Sequence, residues 1–351
     1  MRLLFPIAKF GLRQMAALVL VILMVSGCAS IPTSEFNGYL SSFNVAKTSS
    51  QDLLLNAKLA AEFIANAPNN PDRPTDRVNK LGERRAALDA RLAALELISD
   101  YNSALCSLAS GADPKSVQGQ IEGLRDGLSS FGFTKLTALV GKASPYTALI
   151  AEAVSLIDDL IKKQKFKQAI QAGEKPILGI LEILQEDADS IHEIQSQLIL
   201  LKRDIEETKL AKLRPRIAHL LNGYQSSVDL DRAVARYNDV VAKLGDSPLA
   251  SIKLSNPSGQ TSATPGELVV VQTLVDEASN AVEGYNQHND EVAAHQKVVT
   301  EYKKMLATLG SSFKTIGAAI KSNQRAAIVG FVQQALQFRQ SILELQHAKT
   351  P

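Results

Sequence analysis

Leu184, Ile191, Leu198 and Ile205 recur at intervals of seven residues, and Ile194 and Leu201 fall between them. This spacing lays one apolar stripe along an α-helix and predicts a coiled-coil-like seam that must be buried against a neighbouring helix. Pro215 cannot donate to the carbonyl of Ala211, so the helix is expected to kink or end there. Beyond it Ile217, Leu221, Tyr224 and Val228, then Val234, Tyr237, Val241 and Leu244, continue the stripe. Each arm then measures roughly 45 to 55 Å at 1.5 Å per residue, too long to fold back into a small globule.

The rest of the chain reads as further helices. Pro68, Pro71 and Pro74 separate a helix over about 34–66 from one over about 76–110, which Gly111 ends. Asp113-Pro114, Ser144-Pro145 and Thr264-Pro265 each set a capping side chain before a proline suited to the first helical position. Glu267, three residues after Thr264, completes a capping box. A long loop over 245–266 precedes a helix over about 267–308, carrying Leu268, Val271, Val275, Val282, Tyr285, Val292, Val299 and Leu306 on one face. A turn at 310–312 leads to a last helix over about 313–348, with Phe313, Ile316, Ile320, Ala327, Phe331, Phe338, Ile342 and Leu345 in its stripe. Residues 112–173 hold Gly119, Gly123, Gly127, Gly132 and Gly141 and are expected to form a cap subdomain of shorter helices. The expected fold is all-α: an elongated antiparallel helical bundle with coiled-coil-like long helices and a smaller helical cap.

Composition agrees with this class and excludes others. Of 351 residues, 45 % are hydrophobic and 21 % charged, which rules out both a polytopic membrane protein and a disordered chain. Residues 1–27 hold Arg2, Lys9 and Arg13 and no acid, so 35 of the 38 basic side chains remain to face 36 acidic ones in residues 28–351. A body so nearly neutral lacks the basic surplus that nucleic-acid binding needs, and no nucleic-acid partner is expected.

The N-terminus has the anatomy of an export signal. Its three basic residues precede an unbroken apolar run of 11 residues, Met15 to Val25, too short for a spanning helix, and then Ser26-Gly27. The stretch Val25-Ser26-Gly27-Cys28 resembles the lipobox of bacterial lipoproteins. That resemblance covers the leader alone. It implies that Cys28 becomes the first mature residue and carries a thioether-linked diacylglycerol and an amide-linked third chain, with 1–27 removed as the signal peptide. One acyl chain gives only about 10⁴ M⁻¹ of membrane affinity, so three anchor firmly. Ala29 rather than Asp after the cysteine is similar to the pattern of outer-membrane lipoproteins, with the inner membrane as the alternative.

Handles for catalysis are scarce. The sequence has no phosphate loop, no nucleophile elbow and no paired-cysteine metal site. His288, Glu291 and His295 share nearly one helical face and can offer a metal two nitrogens and an oxygen, but the seam register makes them a polar flank instead. Asp189 with His192, and Glu344 with His347, have the carboxylate-x-x-His spacing of di-metal bundles without a second glutamate pair. Cys106 reads as a small core residue in an apolar helix, and His219 as a flank residue. Lys162, Lys163, Lys165 and Lys167 read as a cationic helix end complementing Asp158 and Asp159. Tyr101-Asn102, Tyr237-Asn238 and Tyr285-Asn286 echo one another at irregular intervals. No cofactor, metal or catalytic residue is assigned, and Cys28 is the one site residue.

The function this implies is a non-enzymatic, lipid-anchored spacer, scaffold or binding protein of the bacterial envelope, facing the periplasm and engaging an envelope protein partner. The alternative is a membrane-active protein resembling alpha-helical pore-forming toxins, with its apolar head in residues 131–161. Lys135, Lys142, Glu152, Asp158 and Asp159 interrupt that head.

Overall fold

A computed structural model describes residues 33–67, 70, 72–110, 166–245, 247–251, 253–322 and 329–348. The expected export leader with Cys28, the segment 131–161, the expected caps at Asp113 and Ser144, Lys162, Lys163 and Lys165, and all but 166–173 of the expected cap subdomain lie outside these residues. The described chain forms seven α-helices: α1 (Thr33–Asn66), α2 (Pro74–Ala109), α3 (Phe166–Glu186), α4 (Ala188–Gly223), α5 (Val228–Ala242), α6 (Pro265–Ser322) and α7 (Val329–Ala348). A 3₁₀ turn spans Pro248–Ser251. No strand occurs among the described residues, and the protein is an all-α helical bundle.

The two N-terminal helices follow the proline punctuation closely. α1 ends at Asn66, and Pro74 opens α2, where a missing N–H costs nothing. The guanidinium of Arg77 stitches the connection, donating to the carbonyls of Asp72 at 2.6 Å, of Ala67 at 3.2 Å and of Asn70. Asn70 Nδ2 donates in turn to the Ile64 carbonyl at 2.6 Å, so the last turn of α1 is capped from beyond its end.

Three expectations are corrected. Pro215 neither ends nor breaks α4: it and Ala211 both face solvent, where water can satisfy the carbonyl that the ring leaves free. No turn occurs at 310–312 either, and α6 runs through as one helix of 58 residues, about 87 Å long at 1.5 Å per residue. Gly310 is buried against α3, and a Cβ there would lie 3.3 Å from Leu178 Cδ2; the glycine serves a close approach of helices. Phe313 and Ile316 consequently belong to α6, and α7 begins only at Val329.

The third correction concerns the seam. Leu184, Ile191 and Ile194 are buried, but Leu198, Leu201 and Ile205 are only partly covered. The fully covered stripe instead repeats every eleven residues: Ala188, Ile199, Leu210 and Leu221 are all at most 2 % exposed. Leu184, Gln195, Glu206 and Ile217 form a parallel row at the same interval. An eleven-residue period is 3.67 residues per turn, nearer a straight helix than the 3.5 of a heptad.

Contacts divide the described residues into two units. Of the described residues, the first takes 33–55, 82–110, 166–188, 300–322 and 329–342. Its centre is aromatic: Tyr39 lies 5.9 Å from Phe36, 6.5 Å from Phe43, 6.1 Å from Phe313 and 5.6 Å from Phe331, between ring centroids. Tyr101 Oη donates to the Ala169 carbonyl at 2.7 Å, and Gly173 allows the approach, since a Cβ there would stand 2.0 Å from that oxygen. The buried Arg91 reaches Asp187, at the junction of α3 and α4, at 3.1 Å.

The second unit draws on Asn56–Leu81, Asp189–Val299 and Leu343–Pro351. Its largest apolar cluster joins α4, α5 and α6 through Leu213, Ile217, Leu230, Tyr237, Val275 and Tyr285, among others. The connection from α5 to α6 is strapped down. Gly245 at φ +60° ends the turn after α5, and Asn238 holds Leu254 from both sides, accepting from its N–H at 2.7 Å and donating to its carbonyl at 3.0 Å. Further on, Gly259 N–H donates to the Tyr224 carbonyl at 2.8 Å and Gln225 N–H to that of Thr261 at 2.7 Å. A Cβ at Gly259 would sit 2.3 Å from the Gly223 carbonyl carbon, so no larger residue fits. The capping box expected at Thr264 forms: Glu267 N–H donates to Thr264 Oγ1 at 3.4 Å, and Thr264 N–H to Glu267 Oε2 at 2.7 Å.

Candidate functional site

Polar residues of α4 and α6 meet on the face between the two helices. Lys202 Nζ lies 3.3 Å from Glu291 Oε2, Arg203 Cζ lies 4.6 Å from the Tyr285 ring centroid, and Gly284 sits against the Glu206 side chain. In each contact a rising number on α4 meets a falling one on α6, so the two helices are antiparallel. Gln195 and His295 therefore stand at one level of this pair, and both are at most 1 % exposed.

Each polar group follows from its place on the stripe. Glu291 is 3 % exposed, and its two oxygens are engaged separately, Oε2 by the Lys202 ammonium and Oε1 by His288 Nδ1 at 3.4 Å. A carboxylate taken out of water needs such partners. Arg203 also donates to Tyr285 Oη while lying against its ring, so one guanidinium satisfies a hydroxyl and covers an aromatic face. The Glu206 side chain packs over Gly284, where a Cβ would lie 3.4 Å from its carboxyl carbon, at ordinary contact distance. Gln195 differs from these: it is fully buried, and among the described residues neither its Oε1 nor its Nε2 has a hydrogen-bond partner.

The sequence candidates fall into place around this face. His288, Glu291 and His295 do lie together, but Glu291 and His295 are core residues rather than a polar flank. The Lys202 ammonium lies against Glu291 Oε2, and among the described residues no group of three or more His, Cys, Asp or Glu is arranged to hold a metal. Asp189 is exposed in the first turn of α4, and His192 Nε2 lies 3.4 Å from Ser196 Oγ, its own helical neighbour. Glu344 pairs with Lys297 at 2.6 Å, and the His347 side chain lies outside the described residues. His219 is exposed. Cys106 is half-buried with Sγ 3.8 Å from Asn37 Oδ1, and burial pushes its thiol pKa up, away from a reactive thiolate.

Sequence reasoning missed Gln195, Lys202 and Arg203 as inward-facing residues. The eleven-residue repeat through Ala188, Ile199, Leu210 and Leu221 was the signal that could have exposed them. The Tyr-Asn echo also resolves into unlike roles: Tyr101 caps a carbonyl, Asn238 holds the strap, and Tyr285 receives Arg203.

Compared with known proteins, the chain matches no family model, no curated protein and no solved structure.

Proposed function

We propose that this chain is a lipid-anchored, non-enzymatic scaffold or spacer of the bacterial envelope, held in the outer membrane by acyl chains on Cys28 and presenting its helical bundle to an envelope protein partner in the periplasm. The observation that carries the reading is the leader itself: three basic residues, an apolar run of 11 residues and Val25-Ser26-Gly27-Cys28. The helical bundle supports it. One of its helices runs for 58 residues, and among the described residues no helix is long and apolar enough to cross a membrane. Between α4 and α6 the buried Glu291 is engaged by Lys202 and His288, as in a structural polar contact. The experiment is metabolic labelling with a fatty-acid analogue, comparing the native chain with Cys28→Ser. Labelling of the native chain in the outer-membrane fraction, lost in the variant, is the expected result. Equal labelling of both would refute the anchor, and co-purification of the labelled protein from solubilised envelopes would identify the partner.

A further inference from the structure

An open groove of about 420 Å³ lies between α4 and α6 in the second unit. Its floor is apolar, formed by Leu213 and Ala281, which are 6 % and 3 % exposed. Lys209 and Glu206 on its wall neutralise each other, the ammonium meeting both carboxylate oxygens at 2.7 and 3.0 Å. Two opposite charges remain. Lys212 from α4 and Glu277 from α6 stand at one level of the antiparallel pair, yet neither forms an ion pair within the described residues. Asn280, one turn from Glu277, adds an amide that is likewise uncommitted.

We propose that this groove binds a zwitterion of dipeptide size, with the ligand carboxylate at Lys212, its ammonium at Glu277, its amide at Asn280 and small apolar side chains on Leu213 and Ala281. A cation and an anion left without an ion pair on facing helices, beside an apolar floor, match a ligand charged at both ends. The volume falls in the range of small-molecule sites, about 300 to 1,000 Å³. The site is independent of the lipid-anchor reading.

Isothermal titration of the full chain with L-alanyl-L-alanine tests it, alongside the N-acetylated dipeptide and the dipeptide amide. Saturable one-site binding is expected for the zwitterion, and blocking either end should weaken it about fivefold or more. Lys212→Gln should weaken the zwitterion by a similar factor without further weakening the amide, and Glu277→Gln should do the same relative to the acetylated form. Both side chains are exposed, so unchanged melting temperatures will show that the variants remain folded. The proposal is overturned if about 10 mM dipeptide gives no saturable heat, ten times a Kd of about 1 mM. Blocked and free dipeptides binding alike, or neither substitution altering affinity, would overturn it equally.

Discussion

Lys202 Nζ stands 3.3 Å from Glu291 Oε2, so an ammonium of α4 neutralises a carboxylate that is 3 % exposed in the core of the second unit. Lys202→Met would leave that carboxylate buried with only His288 beside it, and should cost about 3 kcal/mol. Adding Glu291→Leu removes the stranded charge and should restore most of the loss. Chemical denaturation of both single variants and the double variant measures the coupling; simple additivity would show that the two side chains do not act as a pair.

Gln195→Leu should stabilise the protein. The native amide is fully buried with neither polar atom partnered, and each such atom costs about 1 to 3 kcal/mol. By the same reasoning Gln195→Asp should be as damaging as Ile194→Asp, whereas Gln197→Asp, at a half-covered position, should cost under about 1 kcal/mol. Melting temperatures of the four variants decide this.

On α1, Leu54 is wholly buried, while Leu55, Leu59 and Phe63 are 49, 63 and 43 % exposed, one helical turn apart. Leu54→Gln should lower stability by about 3 kcal/mol, and Leu59→Gln should change it by less than about 0.5 kcal/mol. Thermal unfolding that ranks the two in reverse would mean that α1 presents the opposite face to the bundle.

Burial raises the pKa values of Tyr39, Tyr101 and Tyr302 well above the usual 10.0. Their folded state holds its protons longer than the unfolded chain does, so this stability is complete below pH 10 and is lost as pH rises further. Ultraviolet titration of the 7 tyrosines should show an early ionising group and a delayed one that ionises only with loss of helical circular dichroism. A single early phase, with the helix signal intact, would contradict the aromatic core.

Acid acts at the start of α6. Hydrogen bonds from the Thr264 backbone and side chain, and from the Tyr224 hydroxyl, hold the Glu267 pKa below its usual 4.5. The cap is therefore intact above that pH and is lost as pH falls through the lowered value. Hydrogen exchange in the first turn of α6 should accelerate there, and Thr264→Ala should bring the same acceleration at neutral pH.

Much of this architecture was legible because it is written in residues with strong local rules. Three prolines placed the link between α1 and α2, and Thr264 with Glu267 announced the start of α6. The errors share one cause. Gly310-Ser-Ser312 reads as a turn because glycine usually is one, and nothing local shows that Leu178 needs the space. Gln195, Lys202 and Glu206 occupy inward positions of α4, so a search for apolar residues passes over them and finds the heptad running through Leu198 and Ile205. The groove at Lys212 and Glu277 was invisible for a related reason: it exists only through the pairing register of two helices, between residues more than 60 positions apart in sequence.

Four borders between the two contact units, at Leu55/Asn56, Leu81/Gly82, Val299/Thr300 and Ile342/Leu343, fall inside α1, α2, α6 and α7 rather than in loops. Cutting α6 at either side of Val299 would strand four carbonyls on one fragment and four N–H groups on the other, each formerly satisfied within the helix. The units are thus not excisable modules. A fragment carrying one alone would inherit frayed helical ends where the intact chain has continuous hydrogen bonding, and joining either unit to another protein at these borders would mean rebuilding four helices.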